Sequence, residues 1–280
     1  MKKATKDKVR TRSDKMRRSS FFALPIFLFT ANAFAQMHAY VQMDFSGPVE
    51  YVVTDSQGKR SGLNPITHMD YDEIPYSGYG DGSQEGSREF GFNTALKDTS
   101  FSTTYTIQIF GTGKGIFDGG GGARQTWSGK GASFRTRGVI DSNQNVTYKF
   151  SYSTDSTITP TFWKVVTPQI IRQDFENCFK LKLLGKEEFY KDLIHQLDDI
   201  VKDVAHKDSV EARKDLEKFS DEFEDVFNET FKDNPKKNAI VMAEFEKTHK
   251  KFVGLDAYKI LSEDVSLLLQ QLPESHQKNR

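Results

Sequence analysis

Tyr105-Thr106-Ile107-Gln108-Ile109-Phe110-Gly111-Thr112-Gly113-Lys114-Gly115 is the stretch on which the fold turns. Tyr105, Ile107 and Ile109 alternate with Thr106 and Gln108, so an extended chain here has one apolar and one polar face. A period of two, rich in β-branched and aromatic residues, is the pattern of a half-buried strand, and the glycines behind it end the run. The pattern recurs on both sides. Val49, Tyr51 and Val53 carry it upstream, and Tyr148, Phe150 and Tyr152 carry it downstream. Ser56-Gln57-Gly58, Gly119 to Gly122 and Asp141-Ser142-Asn143 read as the turns between segments, and Tyr76 to Gly86 reads as a long surface loop. Several short strands at this spacing predict an antiparallel β-sandwich over residues 36–167.

From Pro168 the period changes. Glycine nearly disappears, charges dominate, and apolar residues recur every three or four positions. Tyr190, Leu193, Leu197, Ile200 and Val204 mark one helix face; Leu216, Phe219, Phe223, Val226 or Phe227, and Phe231 mark another. Gly185 reads as a helix stop, Asp208-Ser209 and Asn234-Pro235 as starts, Gly254 as a separator and Pro273 as the last stop. Four or five amphipathic helices with short connections predict a small bundle over 168–280. The fold class is therefore α+β in two domains, sandwich first and helical bundle second.

The N-terminus reads as an export signal. Basic residues through Arg17-Arg18 precede an apolar run from Phe21 to Phe29, then the small residues Ala33 and Ala35. The run is too short to span a bilayer, which predicts a signal peptide over 1–35 and a working chain starting at Gln36. Phe21 falls one residue late for a twin-arginine signal, which favours the ordinary secretory route. The expected destination is the periplasm or the medium of a bacterium. No later run reaches transmembrane length.

The leader also hides the true charge balance. It takes nine of the 39 basic residues and two of the 39 acidic ones, leaving 30 basic against 37 acidic. An acidic chain lacks the clustered positive charge that nucleic acid requires. The single cysteine, Cys178, excludes an internal disulfide. It lies among Phe175, Phe179 and Leu183 on a helical pattern and reads as a small buried hydrophobe.

Two stretches of the β half resemble exported bacterial β-sandwich modules. Val49 to Asp55 continues into Ser56-Gln57-Gly58-Lys59-Arg60-Ser61-Gly62-Leu63-Asn64-Pro65 and Asp72-Glu73-Ile74-Pro75. This is similar to an opening of strand, Asp-Pro-x-Gly-Arg-Arg-Thr-Gly, a Pro-closed turn and Asn-Glu-Ile-Pro. The stretch from Tyr105 to Gly115 resembles the strand-Gly-x-Gly-x-Gly-strand element of the same modules. The chain departs from them at Ser56 and at Asp118 with its glycine run. The helical half resembles the FIMAH domain through Tyr190 to Leu197, Ala212 to Phe219, and Ala257-Tyr258-Lys259-Ile260-Leu261 to Leu269. The resemblance implies a non-enzymatic accessory module and brings no catalytic residues.

Gly111 to Gly115 lacks the spacing of a nucleotide loop and reads as a hairpin turn. The six histidines form no metal-ligand pair, no serine sits in Gly-x-Ser-x-Gly, and Asp198-Asp199 and Glu263-Asp264 read as solvated helix faces. The acids Asp70, Asp72, Glu73, Asp81 and Glu85 match no defined calcium loop. No catalytic residue, metal or cofactor is therefore predicted. The candidate ligand-binding residues are the aromatics Tyr76, Tyr79, Trp127 and Trp163, which lie in turn-like stretches and suit stacking on sugar rings. The competing reading, which the sequence favours, makes Trp127 and Trp163 anchors of the core or of the joint between halves. Three functional readings follow in order: an exported non-catalytic interaction or structural protein with a protein or glycan partner, a carbohydrate-binding module, and an exported hydrolase.

Overall fold

Alternating sequences give each strand two unlike faces, and the chain sorts those faces into two antiparallel sheets. The computed structural model describes residues 38–82, 86–95, 102–125, 131–153, 155, 158, 160–232 and 250–273. The leader, Trp127 and the Asn234-Pro235 start lie outside the described residues. In chain order the strands are β1 (His38–Ser46), β2 (Val49–Thr54), β3 (Arg60–Asn64), β4 (Met69–Asp72), β5 (Ser77–Asp81), β6 (Ser87–Ala95), β7 (Ser102–Gly111), β8 (Gly115–Gln125), β9 (Gly131–Ile140), β10 (Asn145–Ser153) and β11 (Thr161–Lys164). One sheet runs β5-β6-β1-β8-β9 and the other β11-β10-β7-β2-β3-β4.

A single apolar cluster draws on both sheets. Val41, Met43, Phe45, Phe90 and Phe117 come from the first; Val49, Tyr51, Val53, Tyr105, Ile107, Ile109, Tyr148 and Phe150 come from the second. Those of the second sheet are the alternating positions read from the sequence. The Phe134 ring on β9 stacks on Phe162 of β11 at 3.7 Å. The Tyr51 hydroxyl on β2 donates to the Met43 carbonyl on β1 at 3.0 Å.

Three readings of the β half need correction. Gly119 to Gly122 is no turn: it lies inside β8, paired to β1 and β9 along its length. A glycine run in a strand is costly in entropy and is retained where neighbours need the room. A Cβ on Gly119 would come within 2.1 Å of the Phe45 ring, and one on Gly121 within 2.9 Å of the Phe134 ring. The expected loop from Tyr76 to Gly86 contains β5, which pairs with β6 from Ser77↔Phe92 to Asp81↔Arg88. The turn after Gly111 closes no hairpin, since β7 and β8 belong to different sheets.

That last point organises the molecule. The chain changes sheet after β1, β4, β6, β7 and β9, and the crossovers after β1, β7 and β9 are bonded to one another. Thr112 N donates to Pro48 O, Gly111 N to Gln144 O, and Asn143 N to Gly111 O. The helical half sits on this end. Its helices among the described residues are α1 (Pro168–Lys180), α2 (Glu187–Ala205), α3 (Ser209–Phe231) and α4 (Leu255–Gln271), with a two-strand clip of β12 (Leu184–Gly185) and β13 (Phe252–Val253). Thr167 caps α1 and Pro168 opens it, while Asp208 caps α3 as its sequence suggests. Gly185 does not stop a helix; α1 ends at Lys180 and Gly185 lies in the clip beneath the Phe252 ring.

The second apolar cluster packs Ile171, Phe175, Cys178, Leu193, Leu197, Leu216, Phe219, Phe223 and Leu261 together with Val139 of β9 and Val166. Polar bonds reinforce the joint: Asn177 Nδ2 donates to Gln144 Oε1 at 2.7 Å, and Lys114 Nζ to the Lys180 carbonyl at 2.8 Å. The described residues belong to one compact unit. No helix among them is long and apolar enough to cross a membrane.

Candidate functional site

Of the four aromatics singled out in the sequence, Trp127 lies outside the described residues and the other three do not come together. Tyr76 precedes β5 with φ 62° and is 83% exposed, alone at the surface among them. Tyr79 is turned inward, its ring 5.0 Å from Tyr51. The Tyr79 hydroxyl donates to Glu50 and accepts from Tyr51 N at 3.3 Å. Burial, then the Glu50 carboxylate, pushes that hydroxyl far above the ordinary phenol range. Trp163 is half-buried on β11 in the other sheet, opposite Lys149.

Of the acids of residues 70–85, Glu85 lies outside the described residues and the others are likewise dispersed. Asp70 and Asp72 lie on β4, Glu73 binds Arg60 at 3.0 Å, and Asp81 binds Arg88. Among the described residues no three His, Cys, Asp or Glu side chains are placed to hold a metal ion.

A different surface does assemble. On β1 the inward residues Val41, Met43 and Phe45 leave Tyr40, Gln42, Asp44 and Ser46 on the outer face of the five-stranded sheet. These stand opposite Arg124, Gly122, Gly120 and Asp118 of β8. The β8 residues in turn stand opposite Gly131, Ser133, Arg135 and Arg137 of β9. Two of the four β8 positions are glycine, so the middle strand is lowered between its neighbours and a groove runs along it. Four rows two residues apart span about 20 Å at roughly 3.4 Å per residue. The groove comprises two clefts, of about 700 and 740 Å³, which share Asp44.

Its ends differ. At the first, Tyr40 lies over β6, its hydroxyl 3.7 Å from where a Cβ on Gly91 would stand, and the residue is 37% exposed. At the second, Lys259 and Glu263 of α4 line the wall. Arg137 ties this end down, reaching Asp118 on β8 at 3.0 Å and Asp256 on α4 at 2.8 Å. Burial pushes the Glu263 carboxyl upward, against the nearby Lys164 charge.

The middle carries hydrogen-bonding groups with capacity to spare. Gln42 Nε2 donates to Glu89 Oε1 at 2.7 Å, leaving the amide oxygen and a second N–H. Arg124 and Arg135 are exposed and have no carboxylate partner among the described residues. The groove therefore offers planar donors, carboxylate and amide acceptors, a serine hydroxyl and one aromatic face along an open channel.

The sequence carried a signal for it. Tyr40-Val41-Gln42-Met43-Asp44-Phe45 alternates as strictly as the decisive stretch, and its polar set is the groove wall. The strand facing that wall is masked in the sequence by its glycine run, which has the composition of a turn. The chain matches no family model, no curated protein and no solved structure.

Proposed function

We propose that this chain is an exported, non-catalytic binding protein of a bacterial envelope or exterior, and that it holds a glycan chain in the glycine-floored groove of its five-stranded sheet. The observation that carries the reading is the groove itself: an extended channel with a bare floor, polar walls and Tyr40 at its open end. A sugar chain presents hydroxyls on its edges and C–H groups on its faces. Guanidinium, amide and carboxylate groups pair with the former, and an aromatic ring covers the latter. On this reading the two sheets are the leaves of a β-sandwich, and the helices form a second, FIMAH-like module that closes the groove through Lys259 and Glu263.

The test is retention of the protein on a panel of insoluble polysaccharides, compared with Tyr40→Ala and Arg135→Ala. Both side chains lie at the surface, so their loss should leave the melting temperature nearly unchanged. Loss of a hydrogen bond to a charged group costs roughly 1.5–3 kcal/mol, about tenfold or more in Kd. Retention of both variants at the wild-type level refutes the groove as the site. Release of reducing ends from a bound polysaccharide would replace the binding reading with a hydrolytic one.

A further inference from the structure

Lys164 ends β11 with its side chain 5% exposed, and it meets two carboxyl groups that are no more open, Asp174 at 3% and Asp264 at 2%. The three come from three elements: the last strand of the β half, the first helix and the last helix. Lys164 Nζ lies 2.7 and 2.8 Å from the two Asp264 oxygens, so it faces the carboxyl carbon between them. It lies 2.5 Å from one oxygen of Asp174. Asp174 also acts on the Asp264 carboxyl, so it bears on both other partners.

One ammonium cannot balance two ionised carboxylates in a dry core, where an unpaired charge is far costlier than in water. Burial pushes the Asp264 carboxyl well above the carboxylate range, which favours its protonated form. The cluster thus brings together an amine, a carboxylic acid and a second carboxyl group that can pass a proton between them. Ile171 and Phe175 on α1 and Leu261 on α4, the helices that carry Asp174 and Asp264, are fully buried in one apolar cluster, which holds both helices in place. Rigidly juxtaposed partners react with effective concentrations of about 10⁵–10⁸ M, so even a sluggish condensation completes when it need occur only once.

We infer that Lys164 and Asp264 are joined by an isopeptide bond formed within the folded chain, with Asp174 as the proton carrier. The Lys164 ammonium gives one proton to Asp174, and the freed Nζ lone pair attacks the Asp264 carboxyl carbon. Asp174 delivers its proton to the departing hydroxyl and takes a second one from the nitrogen. The Nζ–Cγ bond forms, the Cγ–OH bond breaks and one water leaves. Charge and oxidation state are unchanged, so no cofactor or oxidant enters. The product is a covalent strap between the β half and α4, across 100 residues of chain.

Mass spectrometry of the intact, folded and then denatured protein tests this directly. The chain should be one water lighter than its sequence. A tryptic digest should contain peptide 150–172, uncut after Lys164, joined to peptide 260–278. A digest in which Lys164 is cut normally, with both peptides linear, overturns the inference. A link to peptide 173–180 instead overturns Asp264 as the acyl group. Lys164→Arg should restore the full mass. Asp174→Asn should leave the two peptides unjoined, and a bond formed as completely as in the parent would remove Asp174 from the chemistry.

Discussion

Tyr79→Phe removes one oxygen atom from the inside of the β half and distinguishes a structural tyrosine from a ligand-binding one. The hydroxyl donates to Glu50, whose carboxylate is buried and also held by Arg88 Nε at 2.8 Å. It accepts from Tyr51 N at 3.3 Å. The substitution therefore deletes a hydrogen bond to a charged group, about 1.5–3 kcal/mol, and leaves a buried N–H without its acceptor at about 1 kcal/mol. The long 3.3 Å bond keeps the second cost near that lower bound. Together these give roughly 2–4 kcal/mol against a total stability of about 5–15 kcal/mol. At about 2–4 °C per kcal/mol for a chain of this size, the melting temperature should fall by roughly 4–16 °C. Thermal unfolding followed by circular dichroism measures the fall, and Tyr76→Ala serves as the control. Tyr76 is almost fully exposed and its loss should change stability by less than about 0.5 kcal/mol. A Tyr79→Phe protein that melts with the parent would show that the hydroxyl is solvated and the Glu50 network does not hold the sheets. A folded variant should retain whatever ligand the groove binds, since Tyr79 does not reach the outer face.

Two further outcomes follow from burial. Tyr51, Tyr79, Tyr105 and Tyr148 are all raised above the ordinary phenol range, with burial the first cause in each. A group whose folded pKa is raised contributes stability below its unfolded value, here about 10, and loses it as pH climbs through the folded value. Stability should therefore drop steeply above about pH 10, and tyrosinate absorbance should show these four rings ionising only as the chain unfolds; smooth titration of all ten tyrosines in the folded protein would contradict it. Cys178 is fully buried, and burial, then the Asp174 charge, pushes its thiol upward. It should stay inert to a thiol reagent in native buffer and react at once in denaturant, and rapid native labelling would refute that placement.

What the sequence made legible was periodic. Tyr105, Ile107 and Ile109, or Leu193, Leu197 and Ile200, repeat at the strand or helix period because one face of a regular element must be apolar. All six of these side chains are buried. What stayed hidden depended on single positions. Glu263-Asp264 reads as a solvated pair on a charged helix, yet Asp264 is 1% exposed while Glu263 is only partly covered. Successive helix residues point about 100° apart, so one of two adjacent acids can enter the core while the other lines the groove. A pattern average erases that distinction. Lys164 was invisible for the same reason: nothing local marks a strand-end lysine as a partner for carboxyls 10 and 100 residues away. The glycine run failed differently. Glycine is the strongest turn signal, and only the facing rings of Phe45 and Phe134 explain a run of it inside a strand.

Helix α4 connects these otherwise separate findings. Asp256, Lys259 and Glu263 follow at i, i+3 and i+7, the spacing of one helix face, and that face meets the groove through Arg137 and the cleft wall. Ile260, Leu261, Asp264, Val265 and Leu268 form the opposite, buried face, with Asp264 against Lys164. The rotation of α4 about its axis is thus set by whatever fixes Asp264 in the core. A turn of the helix that released Asp264 would also withdraw Lys259 and Glu263 from the groove. A helix packed by leucines alone tolerates small slips, because apolar contact has no direction. A lysine gripped by two carboxyl groups does not, since each hydrogen bond fails with displacement or tilt. The closed end of the groove inherits its geometry from the buried cluster, and a ligand reaching that end would sense the joint between the two halves of the chain.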